Sequence, residues 1–134
     1  MKKLFLIMFF FMTTFSFSQS NDNFTYLCTV SDNKESEYYF YIEKVNYNSK
    51  EVWIKKIEPE KTVKNKKGKY IKTGGKEILQ FMSINCSEYE FDVKQTISYD
   101  RNGNVIKNDT SQNYGNKVVP GSVMAGIFEG VCSE

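Results

Sequence analysis

Histidine is missing from all 134 residues of the chain. That absence removes serine-histidine and cysteine-histidine catalysis, histidine zinc sites and the usual neutral-pH proton shuttle. Arginine is nearly missing as well. Seventeen of the eighteen basic residues are lysine and Arg101 stands alone, so bidentate recognition of phosphate or carboxylate has little to work with. The length leaves room for one domain and effectively excludes two. Carboxylates at Glu88, Glu90 and Asp92 sit in no hydrolytic motif. Asp100, Asn102 and Asn104 alternate like calcium-loop ligands, but Gly103 is out of place and no glutamate follows at the twelfth position. The expectation is a protein that is not an enzyme, with no cofactor and no metal.

Long apolar runs are scarce too. One exists, Leu4 to Met12, preceded by Lys2 and Lys3 and followed by Ser16-Phe17-Ser18. It is shorter than the roughly 20 residues that span a bilayer, and the small residues behind it suit signal-peptide cleavage before Gln19. The expected division is therefore a signal peptide over 1–18 and one domain over 19–134, with no integral membrane segment after processing. Cys28 lies ten residues beyond Ser18, behind Thr25-Tyr26-Leu27, so no lipobox is present. Cleavage removes two lysines and no acid, turning 18 basic against 16 acidic residues into 16 against 16. A general affinity for nucleic acid gets no support from that balance, and only a local patch can bind polyanions.

What remains has the composition of a folded domain, with 40% hydrophobic, 16% aromatic and 25% charged residues. Its patterning favours strands. Phe24, Tyr26, Cys28 and Val30 alternate with Thr25 and Thr29; residues 37–45 are rich in aromatic and β-branched side chains; and Asn46 to Lys50 supplies a turn before Val52-Trp53-Ile54. Ile78 to Cys86 forms another strand. Phe91, Val93, Ile97 and Tyr99 alternate with Asp92, Lys94, Thr96 and Ser98, the clearest two-residue period in the chain. Asn102-Gly103 predicts a type I′ turn leading into Val105-Ile106. Between Pro59 and this region, Lys61 to Lys76 carries seven lysines and no acid, which reads as an exposed loop.

The last segment changes period. After Pro120-Gly121, Ser122 is placed to cap a helix whose Val123, Ile127, Phe128 and Val131 form one apolar stripe. Gly126 and Gly130 each weaken it by about 1 kcal/mol relative to alanine. Three cysteines permit three pairings, and spacing alone does not separate them. Cys132 ends the weak helix and Cys86 ends a strand, so a Cys86–Cys132 bond would staple one to the other. Cys28, on an apolar strand face, reads as a buried inert thiol. The fold class expected is α+β: a single antiparallel sheet of about six strands, with a C-terminal helix packed on it and tied by a disulfide.

Several of these pieces in order, namely Cys86, Tyr99-Asp100-Arg101-Asn102-Gly103, Val118-Val119-Pro120-Gly121-Ser122 and Val131-Cys132, with Val52-Trp53-Ile54-Lys55 upstream, resemble the surface-adhesin protein E-like family of bacteria. The resemblance spans about residues 24–132. It implies the same sheet-plus-helix fold, adhesion to extracellular matrix or serum proteins, and room for a homodimer through the sheet. Within it Trp53, Gly103, Pro120 and Ser122 read as structural: a core tryptophan, a turn, a helix entry and a cap. Candidate binding residues come from chemistry instead. Lys61, Lys64, Lys66, Lys67, Lys69, Lys72 and Lys76 suit anionic glycans or acidic proteins, and Tyr39 and Tyr41 belong to a strand with rings on both faces. The functional expectation is an exported binding protein, secreted, on the cell surface or in the periplasm, with a periplasmic inhibitor or envelope accessory protein as the alternative.

Overall fold

The computed structural model describes residues 23–31 and 35–134; the expected export signal over 1–18 lies outside them. Nine strands and one helix follow in order: β1 (Thr25–Val30), β2 (Ser36–Val45), β3 (Lys50–Ile57), β4 (Lys61–Lys64), β5 (Tyr70–Thr73), β6 (Glu77–Asn85), β7 (Glu90–Tyr99), β8 (Val105–Asp109), β9 (Asn113–Lys117) and α1 (Val123–Cys132). Seven strands make one antiparallel sheet in the order β1-β2-β3-β6-β7, with β8 and β9 both pairing β7. The six strands expected are all in it. β9, whose Asn-Tyr-Gly-Asn-Lys sequence carries almost no strand signal, is additional.

The core forms on the face that α1 covers. Phe40, Val52, Ile54, Met82 and Ile84 point from the central strands toward Ile127, Phe128 and Val131 of the helix, all of them buried. Ser122 caps α1 as expected: its Oγ accepts the Ala125 N–H at 3.2 Å. Ser122 N–H also bonds the Val119 carbonyl, and Gly121 has φ +75°, the pattern of a type II turn with Pro120 at its first corner. At the other end Lys50 Nζ donates to the Val131 carbonyl at 2.8 Å, giving the last turn the cation that its own sequence lacks. Cys86 and Cys132 form the disulfide that ties the end of β6 to the end of α1, with 5.8 Å between their Cα atoms.

The two helix glycines have different reasons. A Cβ on Gly130 would meet Leu27 Cδ1 at 2.2 Å, so this glycine lets β1 approach the helix, whereas nothing lies within 4 Å of one on Gly126. Gly126→Ala is expected to stabilise the protein by about 0.5–1 kcal/mol and Gly130→Ala to give no gain or a loss. Urea melts of the two variants side by side check this, and equal gains would contradict the contact with Leu27.

Two strands are not the simple alternations expected. A bulge between Tyr26 and Cys28 puts Tyr26 opposite Tyr39 while Leu27 packs toward the helix-side core, so the face predicted for Phe24, Tyr26, Cys28 and Val30 is divided. A second bulge, where Met82 pairs with Val93 and Phe81 with Gln95, inserts Lys94 into β7. Phe91 and Val93 therefore serve the core, and Ile97 and Tyr99 fall on the opposite face. Cys28, half-buried and unpaired, keeps its thiol pKa above the usual value because burial disfavours the thiolate.

The turn after β7 differs from the type I′ expectation. Among the described residues only Glu35 and Tyr89 have positive φ without being glycine, so Asn102 does not meet the requirement of that turn. Instead Gly103 N–H bonds the Asp100 carbonyl at 3.1 Å and Gly103 itself, at φ +81°, makes a three-residue loop. The Asp100 carboxylate accepts the N–H groups of Asn104 and Asn102 at 2.9 and 2.8 Å, which holds its pKa below the ordinary range. These bonds use the Asp100 oxygen that a calcium loop would direct at a metal.

Candidate functional site

Strand alternation makes the second sheet face as definite as the first. Because Phe40, Val52, Ile54 and Met82 face the helix, the residues between them must face away: Tyr39, Tyr41 and Glu43 from β2, Glu51, Trp53 and Lys55 from β3, Leu79 and Phe81 from β6. No described element covers this side. Trp53 is thus no core residue, contrary to expectation. It stacks on Phe81 with 4.9 Å between centroids and donates from Nε1 to Glu43 Oε2 at 2.7 Å, half-buried on the face away from α1.

The aromatic row continues across β2 and β1. Tyr26 meets Tyr39 edge-on at 5.5 Å, and Phe24 lies 6.0 Å from Tyr41. Lys55 is 7% exposed, and its ammonium sits over the rings of Phe24 and Tyr39, at 4.3 and 5.3 Å. Carboxylates frame the rings: Glu37 accepts the Tyr39 hydroxyl at 2.8 Å, and Glu51 accepts Lys94 Nζ at 2.6 Å. The Lys94 bond lowers the Glu51 pKa. Tyr39 and Tyr41 are therefore brought together with Trp53 and Phe81 into one platform, which period-two reading of β2 alone did not reveal.

The seven lysines are elsewhere and are not a loop. β4 and β5 form their own two-stranded antiparallel arm, with Val63 opposite Ile71 and Lys64 opposite Tyr70. The β-branched and aromatic residues Thr62, Val63, Tyr70 and Ile71 supply strand preference that the lysine count obscured. Asn65 Oδ1 accepts the N–H groups of Lys67 and Lys69, each at 3.0 Å, and Gly68 takes φ +76° to close the tip. Lys61, Lys64, Lys66, Lys67, Lys69 and Lys72 lie on the arm itself, and Lys76 lies at its base, where its carbonyl accepts the Glu58 N–H.

The base is fastened by contacts distant in sequence. Arg101 Nη2 donates to the Lys72 carbonyl at 2.8 Å, and Gly75 N–H donates to the Glu58 carbonyl at 2.7 Å. A Cβ on Gly74 would meet the Pro59 carbonyl oxygen at 2.1 Å, so glycine is needed there for close approach as well as for its φ of +75°. Lys72 Nζ pairs with Glu60 at 2.7 Å, lowering the Glu60 pKa. Beside these contacts lies a cleft of about 470 Å³ lined by Ile57, Glu58, Glu60, Lys76, Tyr99 and Arg101. Glu58, Glu60 and Asp100 on its rim are engaged with Lys56, Lys72 and the turn amides respectively, so the cleft presents structural ion pairs.

A family model described as Surface-adhesin protein E matches residues 24–133, nearly all of the described chain. The chain belongs to the surface-adhesin protein E family. The match takes in the platform, the lysine arm, the disulfide and α1, so both candidate surfaces lie inside the adhesin domain. A surface-adhesin role follows at family level. No curated protein and no solved structure matches the chain. Among the described residues no helix is long and apolar enough to cross a membrane, and no group of acidic or cysteine side chains could hold a metal ion.

Proposed function

We propose that this chain is a non-enzymatic binding protein, secreted or displayed at the cell surface, that engages an extracellular host protein or polyanion through the aromatic platform and the lysine arm. The observation carrying the reading is the platform: Tyr39, Tyr41, Trp53 and Phe81 lie half-buried on a sheet face that no described element covers, framed by Glu37, Glu43, Glu51 and Lys94. Rings with a polar rim offer a partner apolar area and directional contacts together. The family's adhesin role supports this use of the surface.

The test is retention of serum or matrix proteins on the immobilised chain, against a charge-matched control protein. The wild type is expected to retain a partner that Tyr41→Ala with Trp53→Ala loses, or that replacement of Lys64, Lys66, Lys67 and Lys69 by glutamine loses. No partner above the control, or a partner indifferent to both sets of changes, would sink the proposal. Protease accessibility on intact cells supplies the location: protection behind an intact outer membrane favours the envelope accessory role over adhesion.

A further inference from the structure

We infer that the β4–β5 arm docks on the anionic surface of a lipid bilayer. This rests on the polyanion half of the function proposed above and gives that polyanion a chemical identity. The charge on the arm is divided in a way the sequence does not show. Near the base, Lys61 pairs with Glu35 at 3.2 Å and Lys72 with Glu60 at 2.7 Å. At the tip, Lys64, Lys66, Lys67 and Lys69 have no ion pair with any carboxylate of the described residues; Lys64 lies 5.9 Å from the ring centre of Tyr70. Four ammonium groups within six residues thus form one unneutralised end on a chain that, without residues 1–18, carries 16 basic and 16 acidic residues in all.

Apolar side chains accompany that end. Val63 and Ile71 face each other on one side of the arm at 41% and 42% exposure, while Tyr70, opposite Lys64, is 69% exposed on the other side. A sulfated glycan would use the lysines and leave the Val63–Ile71 pair in water. A bilayer uses both, because headgroup charge and the acyl boundary lie within one side-chain length of each other, and lysine stems can lie along apolar surface while their ammonium groups stay among the headgroups. The choice of lysine fits as well. A smeared surface potential requires point charges and no bidentate geometry, and the chain's single arginine is spent at the base, on the Lys72 carbonyl.

The arm also arrives with its shape set. Arg101, Gly74, Gly75 and the Glu58–Lys76 backbone bond fix its root, and Asn65 with Gly68 fixes its tip. Little ordering is left to oppose contact, so a small footprint of four charges and the Val63–Ile71 pair is enough for reversible attachment.

The experiment is co-sedimentation of the mature chain with vesicles of phosphatidylcholine alone and of phosphatidylcholine containing about 30% phosphatidylglycerol, at roughly 50 and roughly 300 mM salt. Heparin-column retention is measured in parallel. The wild type is expected to bind the anionic vesicles, to leave the neutral ones unbound, and to lose most binding at the higher salt. Replacing Lys64, Lys66, Lys67 and Lys69 by glutamine should weaken partition by about 100-fold or more. Val63→Thr with Ile71→Thr keeps β-branched residues in the arm and should weaken vesicle binding about fivefold while leaving heparin retention unchanged. Retention on heparin without binding to anionic vesicles overturns the lipid inference and leaves the polyanion reading standing. Loss of neither vesicle nor heparin binding in the glutamine variant overturns both for this arm, as does a wild type that binds neither. Vesicle binding untouched by the threonine pair overturns the lipid inference in favour of charge alone.

Discussion

Removing the disulfide as Cys86→Ser with Cys132→Ser should lower the unfolding free energy by about 2–4 kcal/mol and the melting temperature by about 10 °C or more. The bond closes 46 positions of sequence, for which the chain-entropy model gives about 4 kcal/mol as an upper figure. The helix it secures is poor by itself: ten residues, two of them glycine, no acidic side chain in the first turn and no basic one in the last. Its docking rests on Ile127, Phe128 and Val131, on the Ser122 cap and on Lys50 at its carboxyl end. Without the staple those contacts hold a segment that costs less to release, and release exposes Val52, Ile84 and Val131, each 0% accessible when folded. Urea unfolding of the wild type and the double serine variant, each with and without reductant, reads the effect. Reductant should carry the wild type to the variant's midpoint and leave the variant unmoved. Unfolding free energies within about 0.5 kcal/mol of each other would show that packing alone fixes the helix.

Where local chemistry decided the structure, it was legible. Ser122 before an apolar stripe and Pro120-Gly121 ahead of it are short-range signals, and the helix and its cap stand where they pointed; the staple, 46 positions long, joins the two element ends that Cys86 and Cys132 mark. The six strands expected were likewise carried by runs of β-branched and aromatic residues. Faces were harder to read than strands. A bulge adds one residue and inverts everything beyond it, so Leu27 exchanged places with Tyr26, and Ile97 parted from Val93, without any change in composition.

Trp53 shows the same limit from another side. Val52-Trp53-Ile54 places large side chains on both faces, and only the location of α1 decides which of them is core. The arm was hidden because seven lysines outweighed the alternation of Thr62, Val63, Tyr70 and Ile71. Its anchors were illegible altogether: Arg101 to Lys72 spans 29 positions and Lys50 to Val131 spans 81. Such contacts follow from the completed sheet order and are absent from any local window.

The sheet's two faces should separate stability from binding, and Ile84→Ala is the sharpest way to ask. Ile84 is 0% accessible, two residues before the disulfide and opposite Phe91, with the helix above it. Truncation removes three methyl or methylene groups from the buried cluster that Ile84 shares with Val52, Met82 and Val131 of β3, β6 and α1, where collapse is limited; the expected loss is about 3–4 kcal/mol. Trp53→Ala acts on the other side. It gives up the stack on Phe81 and the bond to Glu43, but Trp53 is only partly buried, and the expected loss is about 1–2 kcal/mol. Binding should rank the two in the opposite order. The Ile84 variant, assayed well below its lowered melting temperature, should retain the platform's partner as the wild type does per folded molecule, because the rings stand on the far side of the sheet. The Trp53 variant should lose that partner while remaining folded by circular dichroism. If Ile84→Ala abolishes binding in a population shown to be folded, the partner reads the helix side, and the helix with Tyr89 stacked on Phe128 becomes the surface to mutate. If Trp53→Ala proves the more destabilising change, the open face is covered by something that the described residues do not include.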